Sequence, residues 1–395
     1  MPPTDLTSEV HARMTAHRLE SSKIREVANA GAGLSGVIPL WFGEPDIVTP
    51  EFVRAAAKQA LDEGRTFYGP NLGISSLREA IAAYLKRYGR RADSTRVCVT
   101  ASGVHAIMLC AQALLDPGDR VVVPTPHWPH LAEIPHILGA ETELVPLRLE
   151  DGLWKADLEE LISAIVPGTK LVIVNSPSNP TGWTLTSDEQ RALLEHCRRL
   201  GVWILADEVY DRMFFEGDAA PSFLDIADPN DRVLVVNSFS KSWAMTGWRL
   251  GWVVAPGSLI DTFAKLNEYN ISSATTFVQE AGLAAIQGGD SFIEATVARY
   301  RDMRDLTINL LGDNPRISMP LPRGAIYVFF GVDGVRDSLS FAKDLLVRAR
   351  VGLAPGSAFG PAGEGYMRLC FAGSRERLTE ACHRVTEFMR TAGRY

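Results

Sequence analysis

Lys241 stands in the run Ser238-Phe239-Ser240-Lys241-Ser242-Trp243-Ala244-Met245-Thr246-Gly247-Trp248-Arg249, directly after the apolar stretch Arg232-Val233-Leu234-Val235-Val236-Asn237. A lysine amine at a strand end, in a polar loop, can act as a nucleophile toward a carbonyl carbon. Ser238, Ser240 and the guanidinium of Arg249, eight positions past the lysine, can hold a phosphate. One lysine carries little by itself, because most lysines are solvated surface charges.

Two more apolar stretches end on reactive groups. Leu171-Val172-Ile173-Val174 runs into Asn175-Ser176-Pro177-Ser178-Asn179-Pro180-Thr181-Gly182, and Val202-Trp203-Ile204-Leu205-Ala206 runs into Asp207-Glu208-Val209-Tyr210. Ligands of open α/β sheets bind outside the carboxyl ends of the strands. Three such ends carrying an amide, a carboxylate with a tyrosine, and an amine make a candidate site. The set suits an enzyme that carries pyridoxal phosphate as a lysine Schiff base.

The elements that must position these groups can be read along the chain. Residues 1–30 have a polar, helical texture that breaks at Ala30-Gly31-Ala32-Gly33. Residues 50–63 and 74–88 read as helices, with Tyr68-Gly69-Pro70 in the loop between them. Arg96–Thr100 and Val121–Val123 read as strands, and a helix and a strand fill roughly 129–147. Thr186 and Glu189 form a capping-box pattern for a helix to Leu200. This alternation from about 95 to 255 predicts a mostly parallel central sheet flanked by helices. Helical patterns at 290–312 and 375–392, around short strands at Ala325–Phe330 and Tyr366–Phe371, predict a smaller α+β domain. The expected division is a large domain at 46–288, with 1–45 and 289–395 forming the small domain and an N-terminal arm.

Composition bounds the function. With 395 residues, 46% hydrophobic and 22% charged, the chain can bury a large core. A net charge of −7 with no basic block argues against nucleic acid as a partner. No apolar run reaches the roughly 20 residues of a membrane span. Five scattered cysteines with no Cys-x-x-Cys suggest reduced thiols and a cytoplasmic location.

Asn179-Pro180-Thr181-Gly182, Asp207-x-x-Tyr210, Ser238-x-x-Lys241 and Arg249 occur in one order, with Asp207 28 positions after Asn179 and Lys241 34 positions after Asp207. With Gly43-Glu44-Pro45-Asp46 before them and Arg368 after, the chain resembles the fold-type I pyridoxal-phosphate enzymes of the class I/II aminotransferase family over nearly its whole length. The resemblance implies pyridoxal 5'-phosphate as cofactor and transfer of an amino group from an L-amino acid to a 2-oxo acid in a ping-pong sequence. It implies an internal aldimine on Lys241, whose freed amine then moves the substrate proton. Asp207 would pair with the pyridine nitrogen, and Tyr210 and Asn179 would bond the phenolic oxygen. Trp128 would stack on the ring, where other members use other aromatics. Arg368 would take the substrate carboxylate, with Gly43 contributing backbone to the same pocket. Tyr68 would reach the phosphate of a neighbouring subunit, which implies a homodimer with shared active sites.

Physical chemistry agrees with several of these roles. Ser102-Gly103-Val104 opens a helix straight after a strand, and helix N-termini bind anions. Arg368 lies in an apolar strand, Tyr366-Met367-Arg368-Leu369, so its charge needs a partner that a carboxylate would supply. Taken singly, an Asp after a strand is often a helix cap, a Tyr a core residue and Asn-Pro a turn. The segment Lys265–Asn270 lacks the second arginine of dicarboxylate-specific members. Ile38, Trp41, His105 and Trp128 would instead suit an apolar or aromatic side chain.

Other patterns lead elsewhere. Gly31-Ala32-Gly33-Leu34-Ser35-Gly36 matches a dinucleotide fingerprint but lacks the preceding strand and following helix. His127 and His130 have no acidic or cysteine partner at metal-ligand spacing and read as loop residues beside the site. Two rival functions use the same residues: a C–S β-lyase on the same scaffold, and a ligand-sensing regulatory protein.

Overall fold

A computed structural model describes residues 13–17, 19–391 and 395. The expected helical texture before residue 13 lies outside them. The short strand β1 (Ile38–Pro39) precedes eight strands that form one sheet: β2 (Val97–Thr100), β3 (Arg120–Thr125), β4 (Glu141–Glu150), β5 (Leu153–Ala156), β6 (Thr169–Asn175), β7 (Trp203–Asp207), β8 (Val233–Ser238) and β9 (Gly251–Val254). The spatial order is β2-β9-β8-β7-β6-β3-β4-β5. β8, β7, β6, β3 and β4 are joined by parallel pairings.

Alternate residues of these strands face opposite ways, and both faces are covered. Val172, Val174, Ile204, Val233 and Val235 join one core, while Leu171, Ile173, Leu205, Leu234 and Val236 join the other. The apolar runs read from the sequence are therefore strands buried on both sides.

β9 is an antiparallel member of this mostly parallel sheet. It runs antiparallel to both β8 and β2. Only residues 239–250 separate β8 from β9, and they hold the lysine turn rather than a crossover helix, so the chain comes straight back. The β4–β5 hairpin turns at Asp151-Gly152, both at positive φ (52° and 74°), the Asp-Gly signature of a two-residue turn.

A second, four-stranded antiparallel sheet has the order β10 (Ile317–Ser318), β11 (Tyr327–Val332), β14 (Tyr366–Cys370), β13 (Ala354–Pro355). β12 (Val351–Gly352) pairs with β1 instead. Helix Asp290–Gly312 packs against β10 and against helix Arg375–Thr391, which also meets β12. The helix Ser187–Leu200 carries the complete Thr186–Glu189 capping box and ends at the left-handed Gly201. Gly31–Gly36 forms a turn between the helix Lys23–Ala30 and β1.

Candidate active site

A cleft of about 500 Å³ opens at the carboxyl ends of β2, β6, β7 and β8, with β11 and β14 closing its far side. Lys241 is not in an open loop. It lies in a single helical turn, Phe239–Ser242, capped by Ser238, whose Oγ accepts from the Ser240 N–H. Its Nζ donates to the Gly43 carbonyl at 2.6 Å. Burial lowers the amine to about 8, and the charges of Arg368 and Arg249 push the same way. A lysine so placed has a far larger neutral, nucleophilic fraction near neutrality than a solvated lysine does.

Asp207 ends β7 on the register partner of Asn175, at the end of neighbouring β6. It is buried, and its Oδ1 has only a long bond, 3.4 Å, from the Val209 N–H. Burial raises the carboxyl to about 7, against the pull of Lys241. A cationic nitrogen beside it would restore the carboxylate. The adjacent Glu208 turns away from the cleft, accepting from Ser222 Oγ (2.6 Å) and the Phe223 N–H (3.0 Å).

Gly103 and Val104 begin the helix Gly103–Leu114 immediately after β2 and line the cleft. Ser102 does not line it; its Oγ caps the helix by accepting from the His105 N–H. The first helical N–H groups have no acceptor within their own helix and suit an anion. Gly251 lets this turn approach the sheet, since a Cβ there would meet Gly103 N and the Ser102 carbonyl carbon at 2.7 Å. Ser238, Ser240 and Arg249 line the same end of the cleft. Arg249 holds a left-handed backbone, φ 56°, a costly conformation for a side chain with a Cβ and one concentrated at functional sites. A helix N-terminus, two hydroxyls and a guanidinium fit a phosphate dianion.

Arg368 crosses from β14 into the cleft and is buried. Its Nη1 donates to Asn179 Oδ1 at 2.8 Å and its Nη2 to the Trp41 carbonyl. Tyr327 and Phe359 cover the guanidinium at 4.3 and 4.8 Å from their ring centres. Its Nε has no partner, and no carboxylate of the described residues pairs with it. A buried guanidinium with no paired carboxylate is suited to bind an anion.

Trp128 lines the cleft and stacks on His130 at 4.0 Å and 17°. His130 also lines it but opens the helix His130–Ile137, whereas His127 lies buried beneath, bonded to Thr125 and held down to about 4 by burial. Ile38, Trp41 and His105 do not line the cleft. The Trp41 ring packs on Gly352, where a Cβ would sit 1.9 Å from it, and His105 Nδ1 accepts from Ala101 at its own helix start. Ile24 and Phe42 provide apolar wall instead. Tyr68 is 91% exposed and lies outside the cleft of its own chain.

Besides the wall residues Ile24 and Phe42, the sequence reading missed two residues that tie the site together. Asn175 donates to the Asp207 carbonyl (2.9 Å) and accepts from the Asn179 N–H (2.7 Å), tying the two loops together. A polar residue ending the apolar run 171–174 was its signal. Tyr327 places its hydroxyl 2.7 Å from that of Tyr210. No local spacing announces it, because it arrives from the other sheet.

Gly43 is required by close approach. A Cβ there would lie 1.8 Å from the Tyr327 hydroxyl. Gly43→Ala is expected to cost about 1–3 kcal/mol through forced repacking. A lowered urea midpoint measures this; an unchanged midpoint would show that Tyr327 can move aside freely.

Comparisons with known proteins identify the family. Residues 35–385 match the family described as "Aminotransferase class I and II". The chain is 38% identical to an aspartate aminotransferase of Pyrococcus horikoshii, covering 93% of this chain and 94% of the relative. It is 33% identical to aromatic-amino-acid aminotransferase 2 of Thermococcus litoralis, covering 93% and 96%. A Thermus thermophilus aspartate aminotransferase structure superposes with a TM-score of 0.88 at 33% identity, over 96% of this chain and 100% of that one. The chain belongs to the class I and II aminotransferases.

Proposed function

We propose that the cleft carries pyridoxal phosphate and moves an amino group from an L-amino acid to a 2-oxo acid in two half-reactions. The observation that carries this reading is the buried, carboxylate-free Arg368 opposite a lysine whose amine is lowered to about 8. Gly103, Val104, Ser238 and Arg249 would hold the phosphate. Asp207 would face the ring nitrogen, and Asn179 and Tyr210 the ring oxygen. Trp128 would cover the ring. Bound there, the cofactor supplies an electron sink that stabilises negative charge at the substrate Cα.

The chain's own groups do the rest. Arg368 grips the α-carboxylate and fixes which face of Cα looks at Lys241. The Lys241 amine would take the proton from the substrate Cα and deliver it to the cofactor's C4′ rather than back to Cα, work worth roughly 10² to 10⁴ in rate. Asp207, ionised once a cation pairs with it, holds that cation in place. Ile24, Phe42 and Trp128 suit apolar or aromatic side chains, while Arg25, 5.7 Å from the Phe42 ring centre, suits an acidic one.

We also propose a homodimer. Tyr68 is exposed together with Phe67 and Tyr269, at 83% and 89%, an aromatic face that a second copy would cover. Tyr68 would then reach the partner's phosphate. Five free, buried cysteines accord with a reducing, cytoplasmic setting.

The test is acceptor dependence. With the cofactor, a panel of aromatic and acidic amino acids should be consumed beyond one amino group per site only when a 2-oxo acid is present. Ammonia and pyruvate formed from an amino acid with a sulfur substituent on Cβ, without an acceptor, would mark a β-lyase instead.

A further inference from the structure

Tyr327 is buried at 1% exposure on β11, opposite Cys370 of β14. Its hydroxyl meets the Tyr210 hydroxyl at 2.7 Å, its ring stands edge-on to the Tyr210 ring at 77°, and Arg368 lies over its face. The absence of a Cβ at Gly43 makes room for that hydroxyl. One phenol therefore touches the tyrosine, the arginine and the backbone that holds Lys241.

Either hydroxyl of the pair can donate, and the two senses leave different protons for the cleft. Burial raises Tyr327 to about 12 and Tyr210 well above the usual phenol value, so both stay neutral at working pH. Each neutral phenol has one proton to give and lone pairs to accept with. If Tyr210 gives its proton to Tyr327, it has none for a ligand oxygen. If Tyr327 donates, the Tyr210 proton is free to point into the cleft.

We propose that Tyr327 is a positioning residue that donates to Tyr210 and so commits the Tyr210 proton to the ring oxygen of the cofactor. This rests on the cofactor reading above. Donation from Tyr327 also polarises the Tyr210 O–H and strengthens it as a donor. The charged and titratable groups facing the pair are Lys241, Asp207, Arg368, Cys370 and Glu44, and the variants below leave all of them in place.

The test is a pH titration of the visible absorption band of the cofactor-loaded protein, in wild type, Tyr327→Phe, Tyr210→Phe and the double variant. A donor that stabilises the anionic ring oxygen holds the band's midpoint low. Tyr327→Phe should raise the midpoint by roughly half to one pH unit. Tyr210→Phe should raise it further, and the double variant should match Tyr210→Phe. The double variant leaves no orphaned hydroxyl, so it keeps the comparison available if Tyr327→Phe alone folds poorly. A Tyr327→Phe midpoint equal to wild type, or a double variant that shifts beyond Tyr210→Phe, overturns the inference and leaves the cofactor reading standing. A wild-type protein with no visible band removes both.

Discussion

Lys241→Ala folds normally and loses turnover by more than about 10⁴-fold, because it removes the proton-transferring base and the cofactor's nucleophilic anchor together. The fold survives because little structure depends on this side chain. Its one hydrogen bond goes to the Gly43 carbonyl, at the edge of a cleft, and its charge is disfavoured by burial. Truncation leaves a carbonyl that water can reach and removes a poorly solvated amine. Thermal unfolding of the variant should stay near wild type while amino transfer vanishes. Near wild-type turnover in Lys241→Ala would sink the assignment of this lysine.

Arg368→Ala is the second large effect, and it should act on substrate rather than cofactor. Removing the guanidinium removes two charge-assisted donors to a carboxylate, each worth about 1.5–3 kcal/mol. The expected fall in kcat/KM is about 10² to 10⁴-fold for every amino-acid donor alike, since every donor has an α-carboxylate. Asn179 Oδ1 and the Trp41 carbonyl also lose their donor, so some stability goes with it. Arg368→Lys should recover only part of the loss, because an ammonium cannot match the two-pronged geometry. Saturation with cofactor should be nearly unchanged. A variant that loses the cofactor but keeps its affinity for amino acids would contradict this division of labour.

The sequence made much of this site legible because its groups hang on successive strands of one sheet. Asn179, Asp207 and Lys241 follow β6, β7 and β8, which are neighbours in the sheet as well as in the chain. Spacing along the chain therefore translated directly into nearness in space. Legibility failed where neighbours come from different sheets. Tyr327 meets Tyr210 across 117 residues, and nothing local in Ala325–Phe330 separates a cleft tyrosine from a core one. The same limit applies to Asp207 and Glu208. Two adjacent acids end one strand, and only the structure shows Glu208 spent on Ser222 and Phe223. Trp41 was misplaced for a related reason. Next to the Gly-Glu-Pro-Asp motif it looks like cleft wall, but its ring fills the space above Gly352 and only its carbonyl reaches Arg368.

The central claim is that one lysine-anchored cofactor receives and returns the amino group. The most direct measurement is the visible absorption spectrum of the purified protein with pyridoxal phosphate, taken before and after an amino acid and then after a 2-oxo acid. The account predicts a band that the amino acid bleaches and the 2-oxo acid restores, with neither change in Lys241→Ala. A protein that never develops the band, or one whose bleached band no 2-oxo acid restores, would contradict it.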